Sequence, residues 1–590
     1  MSDYRAPVKD MLFVLRELAG LETVSQLPGY EEATDDLVEA VIEEAAGFAA
    51  GVIAPINRVG DAQGTRVEGD KVVVPDEFRA AYQQFAENGW GGLAQSADHG
   101  GQGLPYLVGL AVEEMWQSAN LAWSLCPLLT QGAARAIEDH GDDALKALVL
   151  EKMITGQWTG TMNLTEPQAG SDLSTVRTTA EPDGDQYRIS GQKIYITWGD
   201  HGMTDNIVHL VLARLPDAPA GTRGISLFAV PKRLINDDGS CGEANGVRPV
   251  SVEHKLGIHG SPTCVMAYDR ALGYLVGEPN RGLACMFTMM NHARIGVGLE
   301  GVAISERAYQ QALGYARDRV QGPVAGRDGP APILHHPDVR RMLMTIRATT
   351  EAMRALSLST GSHLDHAHRN PDVAARAAHD ARVQLLTPVV KGWCTETSQV
   401  LTSLGIQVHG GMGYVEETGA AQHYRDARIT TIYEGTTGIQ ANDLMGRKTL
   451  RDGGQAVRAL LSDMRDTETA LAGRKDLETI RSALSAGIDE LDSALAWILE
   501  HAAKDPLVAG AIANAWLMLM GTVAGGWQMA RAADAAARAL ADGAPDTEFL
   551  RAKLATASFY AEQLMPHAGA YAKALRSGAG ATMGIPEEQL

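Results

Sequence analysis

Gln186-Tyr-Arg-Ile-Ser-Gly-Gln-Lys-Ile-Tyr-Ile-Thr197 carries β-branched and aromatic residues in short runs on either side of a glycine. That texture belongs to strands, not to helices. Residues 175–180, 207–214 and 225–230 share it, and Asp183-Gly184 reads as the turn into the quoted stretch. No helical period separates these runs. An antiparallel β-domain over residues 156–280 therefore fits better than a doubly wound parallel sheet.

Outward from that domain the pattern turns helical on both sides. In residues 34–48 the apolar Leu37, Ala40, Val41, Ala45 and Phe48 recur at helical spacing, and 107–121 continues in the same style. After Gly282 the Ala-rich stretches 299–318, 338–363 and 372–404 read as long packed helices. Breaks near 452–454 and 541–546 punctuate a further helical extension. The expected fold is mainly α with a central antiparallel β-domain. Its parts are an N-terminal helical domain over 1–155, the β-domain over 156–280, a helical bundle over 281–452 and a helical extension over 453–590.

Composition narrows the function classes. The chain has 590 residues, too many for one core, with 51 Lys+Arg against 72 Asp+Glu and a net charge of −21. That surplus of acid opposes work on nucleic-acid phosphate, although local arginines can still hold a small anion. The five cysteines, Cys126, Cys241, Cys264, Cys285 and Cys394, form no C-x-x-C pair, so neither a disulfide framework nor a metal site is expected. The N-terminus carries mixed charges, Asp3, Arg5, Lys9 and Asp10, without an apolar signal core, which reads as cytoplasmic. Residues 506–530 lack charge and are long enough to span a bilayer, yet they are built of Ala and Gly with Asn514, Thr522 and Gln528. A buried helix explains them better, and no membrane association is expected.

Four stretches carry chemical suggestion. Gly296-Val-Gly298-Leu-Glu-Gly301 matches the dinucleotide fingerprint in letters, but its flanks read as one continuing helix, so its small residues serve close helix packing. Leu164-Thr165-Glu166-Pro167-Gln168-Ala169-Gly170-Ser171-Asp172 is a turn-rich loop offering backbone N–H groups and hydroxyls. Lys193-Ile-Tyr195-Ile-Thr197-Trp198 combines aromatic faces with a hydroxyl and suits a flat heteroaromatic ring, or else supplies a Tyr and a Trp to a core. In Arg425-Asp-Ala-Arg-Ile-Thr-Thr-Ile-Tyr-Glu434-Gly435-Thr436-Thr-Gly-Ile-Gln440 a carboxylate ends an apolar run, where desolvation strengthens a base for carbon acids.

In this order, and with Gln407-Val-His-Gly410-Gly411-Met-Gly413-Tyr414 and Tyr315-Ala-Arg-Asp-Arg319 added, the motifs resemble those of the acyl-CoA dehydrogenase family. The resemblance covers about residues 35–450. Total length and the helical extension are similar to the long form of the family, and most of all to its branch acting on 3-methylmercaptopropionyl-CoA. Short- or medium-chain acyl-CoA is the alternative substrate. The resemblance implies FAD as cofactor and α,β-dehydrogenation of an acyl-CoA thioester, with Glu434 as the base. It places Met162, Leu164, Thr165, Gly170, Ser171, Tyr195 and Thr197 against the cofactor. It also places Arg319, Gln407, Gly410, Gly411, Thr436 and Gln440 there, some of them across a subunit interface. Ser171, Arg294 and Gly435 fall on the substrate side, and Trp198 departs from the family's usual Asn or Ser. An electron-transfer flavoprotein and a homo-oligomer, at least a dimer, are the implied partners. An AidB-like DNA-associated flavoprotein of the same fold calls for a basic C-terminal region, whereas residues 451–590 hold 13 Lys+Arg against 18 Asp+Glu.

Overall fold

In the computed structural model, which describes residues 4–590, the quoted stretch is one continuous strand, Gln186–Thr197. Asp3, counted above among the N-terminal charges, lies outside the described residues. The chain divides into two units. One comprises Ala45–Leu104 and Met115–Gly296; the other comprises the described residues up to Glu44, Pro105–Glu114 and Val297–Leu590.

The first unit is built on a seven-stranded sheet. From one edge its strands are Thr159–Asn163, Ile207–Ala213, Ser226–Pro231, Thr263–Val276, Gln186–Thr197 and Thr179–Asp183, while Val247–Val252 also pairs with Thr263–Val276. One pairing corrects the antiparallel expectation: Thr159–Asn163 runs parallel to Ile207–Ala213. Thr-Gly-Thr-Met-Asn has no alternation of apolar and polar residues to announce it as a strand. The strand expected at 175–180 begins only at Thr179, because Asp172 caps a 3-10 turn at Leu173–Thr175 by accepting from the Ser174 N–H. Helices Leu121–His140 and Asp143–Ile154 supply Ile137, Leu150 and Met153 to a core shared with Val208, Leu210 and Leu227 of the sheet. Burying each such side chain contributes about 1.5–3 kcal/mol.

The second unit is almost wholly helical among its described residues. Helices Pro337–Arg369 and Val373–His409 pack along each other and against Pro506–Ala541. The latter is long and apolar enough to cross a membrane, but Trp516 to Ala530 is buried among its neighbours. Its glycines explain the composition. A Cβ on Gly521 would stand 2.0 Å from the Trp393 ring, so glycine lets that indole lie on the helix. The Gly-x-Gly-x-x-Gly letters behave likewise. They fall inside the single helix Gly282–Asp318, and a Cβ on Gly301 would stand 2.7 Å from the Cys394 carbonyl oxygen.

A buried ion network joins distant parts of this unit. Arg354 contacts Asp10 at 2.6 Å, Glu114 at 2.6 Å and Glu306 at 2.9 Å, while Lys553 contacts Asp10 at 2.5 Å and Glu351 at 2.9 Å. Asp10 is thus a buried link between the N-terminal segment and helix Thr547–Phe559 of the extension. Burial works to raise its carboxyl, but Lys553 and Arg354 hold it down at about 2.

Candidate active site

Glu434 sits where a 3-10 turn, Arg428–Thr431, hands over to helix Thr437–Asn442. Its backbone is left-handed at φ 54°, followed by Gly435 at φ 91°. A side-chain-bearing residue held there costs on the order of 1–3 kcal/mol, so neighbouring contacts must impose the conformation. Several do. Gln440 Nε2 donates to the Glu434 carbonyl at 3.1 Å, Lys391 Nζ donates to the Gly435 carbonyl at 2.5 Å, and Thr436 Oγ1 caps the next helix by accepting from the Ile439 N–H at 3.3 Å. From the same helix as Lys391, Glu396 accepts from Thr437 Oγ1 at 2.6 Å and Gln399 donates to the Ala427 carbonyl at 2.8 Å.

The residue before the candidate base is anchored as well. Tyr433 donates its phenolic hydrogen to Glu300, a fully buried carboxyl on helix Gly282–Asp318. Burial, with help from the negative charges of Glu113 and Glu434, pushes Glu300 up to about 8 against the Tyr433 bond and Lys391. Tyr433 itself is raised well above its ordinary value by burial and by Glu300. Glu300 is therefore largely neutral at pH 7, and Glu434 is the carboxyl left half-buried at the turn. Elsewhere in this unit the Tyr315 ring lies 4.6 Å from His409, so the Tyr315–Arg319 segment packs on the Gln407–Gly411 segment. Arg319, Gln407, Gly410 and Gly411 are exposed.

In the first unit two motifs are stitched together. The Ile194 N–H donates to the Thr165 carbonyl at 2.9 Å, and the buried Lys193 reaches the Leu164 carbonyl at 3.0 Å and Glu166 at 2.8 Å. Glu166 also accepts from the Thr178 hydroxyl at 2.6 Å and the Arg177 N–H at 2.7 Å. Burial works to raise this carboxyl, but Lys193 and those donors hold it down at about 2, while burial draws Lys193 to about 8. The pair is ionised at neutral pH. With the Ile194–Thr165 bond it fixes Leu164 and Thr165 beside the strand that carries Tyr195 and Thr197.

Opposite Cys264 and Met266 the strand register shifts, and at this bulge Tyr195 turns left-handed at φ 59°. Its ring is 60% exposed, so it is a free aromatic face and not a core residue. Trp198 takes the core role: fully buried, it donates its indole N–H to the Ala122 carbonyl at 3.1 Å. Gly170 and Ser171 are exposed, and a Cβ on Gly170 would meet nothing within 4 Å. An open aromatic face, hydroxyls at Thr165, Ser171 and Thr197, and half-buried Met162 and Leu164 fit a flat heteroaromatic cofactor. Arg294 is nearly buried, its guanidinium 5.9 Å from the Phe287 ring.

The candidate residues therefore form two sets, one in each unit. Glu434, Gly435, Thr436 and Gln440 are brought together by direct contacts in the second. Sequence reading passed over Glu300, Lys391 and the Glu166–Lys193 pair. A charged residue inside an otherwise apolar run, as in Gly298-Leu-Glu300-Gly301, is the one signal that could have marked Glu300. No cluster able to hold a metal ion occurs among the described residues.

Comparison with known proteins returned four matching family profiles in order. They are acyl-CoA dehydrogenase N-terminal domain at residues 35–157, middle domain at 161–271, C-terminal domain at 280–448, and acetyl-CoA dehydrogenase C-terminal like at 460–586. The 3-methylmercaptopropionyl-CoA dehydrogenase of Ruegeria pomeroyi is 51% identical, over 95% of this chain and 96% of that protein. A butyryl-CoA dehydrogenase of Syntrophomonas wolfei is 33% identical over 99% of each. Among solved structures, an acyl-CoA dehydrogenase of Bacillus anthracis complexed with FAD aligns with TM-score 0.74 over 95% of this chain and 91% of that one. Its identity is 21%, so that likeness is one of fold.

Proposed function

The chain belongs to the acyl-CoA dehydrogenase family, and from that premise we propose that it oxidises 3-methylmercaptopropionyl-CoA between the α and β carbons, with Glu434 as the base. It is a FAD-dependent acyl-CoA dehydrogenase. The substrate reading is supported by the 51% identity that extends over nearly the whole of both chains. The base reading rests on one observation: Glu434 is held half-buried in a left-handed backbone by Lys391, Gln440 and the Tyr433–Glu300 bond.

FAD, when bound, supplies the acceptor for the hydride equivalent from the β carbon. The chain's own residues do the rest. Glu434 takes the α-proton, and a base so positioned contributes about 10²–10⁴-fold. Its own backbone N–H, set by the Glu434–Gly435 turn, binds the thioester carbonyl and stabilises the negative charge that develops there. Thr165, Ser171, Tyr195 and Thr197, with Met162, Leu164 and Gly170, hold and orient the cofactor, Tyr195 through its exposed face. Arg319, Gln407, Gly410, Gly411, Thr436 and Gln440 contribute to the same cofactor. Ser171 and Arg294 act on the substrate side together with Gly435.

The same reading includes a homo-oligomer, an electron-transfer flavoprotein as acceptor and a cytoplasmic location. Support for the oligomer comes from Met412, Tyr414, Val415, Tyr424 and Ile432, exposed apolar side chains close to Gln407–Gly411 in the chain, with Tyr414 at 86% exposure. Support for a reducing compartment comes from five cysteines, none in a disulfide. Anaerobic mixing with acyl-CoA tests the central assignment. Glu434→Gln is expected to retain FAD and lose its bleaching; bleaching at the unaltered rate overturns the role given to Glu434. Peroxide formation in air, in place of transfer to the flavoprotein, overturns the acceptor.

A further inference from the structure

In the helical unit a cavity of about 320 Å³ shares no lining residue with the surroundings of Glu434. Five elements line it and leave one side open: the Leu18–Thr23 part of the N-terminal segment and helices Pro337–Arg369, Val373–His409, Gln455–Ala470 and Pro506–Ala541. Three imidazoles and two guanidiniums share its wall with Thr23, Ser359, Ser362, Asp463 and Gln528. His366 and His379 stack with centroids 4.5 Å apart and 14° between planes, and the Nδ1 atoms of His363 and His379 are 2.7 Å apart, so one donates to the other. That bond requires at least one of the two rings to be neutral.

The charges on the wall do not balance. Arg382 pairs with Asp463 at 2.7 Å. Arg531, half-buried, has no carboxylate within ion-pair distance among the described residues. Its N–H groups go to the Leu18 carbonyl at 2.7 Å and Gln528 Oε1 at 2.8 Å, and the Trp527 ring lies 5.2 Å away. Burial lowers its pKa, and the charge of Asp463, which is paired with Arg382, offsets only part of that. The Ser359 hydroxyl, also on the wall, is buried without a hydrogen-bond partner. A protein with 21 surplus acids thus keeps, at one hole, a half-buried guanidinium without a direct ion pair and a hydroxyl without a hydrogen-bond partner. The volume is at the lower end of small-molecule sites and too great for a lone halide.

We propose that this cavity binds a small organic oxyanion, a carboxylate or phosphate borne on a short chain or single ring, with Arg531 as its principal contact. The oxyanion takes the guanidinium fork and the Ser359 hydroxyl, while the carbon body lies against Leu386 and Trp527. Binding is linked to proton uptake. The groups facing the ligand are His363 and His366, His379 and Arg382, Asp463, and Arg531; the N-terminal segment adds no charge to the wall. Burial holds His363 at about 3 and lowers His366 and His379, and a bound anion draws all three upward. Affinity therefore strengthens as pH falls.

Isothermal titration of the FAD-loaded enzyme with butyrate and with inorganic phosphate tests this. Saturable binding of one or both is expected, and the tighter probe tells carboxylate from phosphate. Arg531→Gln is expected to weaken it at least about tenfold, and Ser359→Ala, which deletes only an unanswered hydroxyl, by roughly threefold. Arg531→Lys keeps the charge without the fork and should fall between wild type and Arg531→Gln. Butyrate stays ionised from pH 8 to 6, so its pH series carries no titration of the ligand. Absence of saturable binding by both probes overturns the proposal, as does equal affinity in wild type, Arg531→Lys and Ser359→Ala.

Discussion

Tyr433 donates its phenolic hydrogen bond to Glu300, so the residue preceding the candidate base is tied to a buried carboxyl more than a hundred positions earlier in the chain. Glu300 has a folded-state pKa of about 8, against 4.5 for a free carboxyl. Between those values the folded protein holds a proton that the unfolded chain has lost. Glu300 therefore subtracts stability as pH rises from 4.5 to 8, by up to about 1.4 kcal/mol per pH unit. Glu300→Gln keeps the shape and removes the titration. Urea midpoints measured from pH 5 to 8 are expected to fall less for this variant than for the wild type. Parallel profiles would contradict a neutral Glu300.

The Glu166–Lys193 pair stitches the loop of Leu164 and Thr165 to the strand of Tyr195, and both side chains are nearly inaccessible. Lys193→Met strands a buried carboxylate and is expected to cost about 3–5 kcal/mol. Flavin retained through gel filtration should drop in the same variant, because the loop and strand lose their common anchor. Glu166 is depressed to about 2 in the folded state, so its contribution is whole above its unfolded value near 4.5 and disappears as pH falls toward 2. A variant as stable as wild type at pH 7 would remove this pair from the account.

Two glycines on the helix Gly282–Asp318 separate packing from propensity. At Gly301 a Cβ would press to 2.7 Å on the Cys394 carbonyl, whereas at Gly314 it would meet nothing within 4 Å. Gly301→Ala is expected to lose about 1–3 kcal/mol, and Gly314→Ala to gain about 1 kcal/mol. Thermal melts of the two variants should move in opposite directions. A shift of the same sign in both would refute close helix contact at Gly301.

Substrate preference is read by anaerobic flavin bleaching with 3-methylmercaptopropionyl-CoA, butyryl-CoA, octanoyl-CoA, isovaleryl-CoA and a phenyl-bearing acyl-CoA. The thioether ester is expected to bleach fastest. Faster reaction with a straight-chain ester assigns the chain to fatty-acid oxidation instead.

Much of the fold is written locally. Alternating β-branched residues in Gln186–Thr197 and the turn at Asp183-Gly184 need no distant partner to be read. Thr159–Asn163 was illegible because its strand character comes from parallel pairing with Ile207–Ala213, which no local period announces. Tyr195 and Trp198 stand three residues apart in the same motif, yet one is exposed and the other fully buried, since a bulge decides which way each faces.

By itself the sequence determined the order of helical and β segments, the family motifs and the identity of the half-buried carboxyl at residue 434. Those follow from short-range periodicity and from residue types at fixed spacing. Only the tertiary structure decided that Glu166 is ionised, that Glu300 is neutral, that Arg531 bonds to a carbonyl and an amide without a direct ion pair and that Asp10 links the two ends of the chain. The state of a buried charge depends on how much water is removed and which charges replace it, and those replacements come from elements far apart in the sequence.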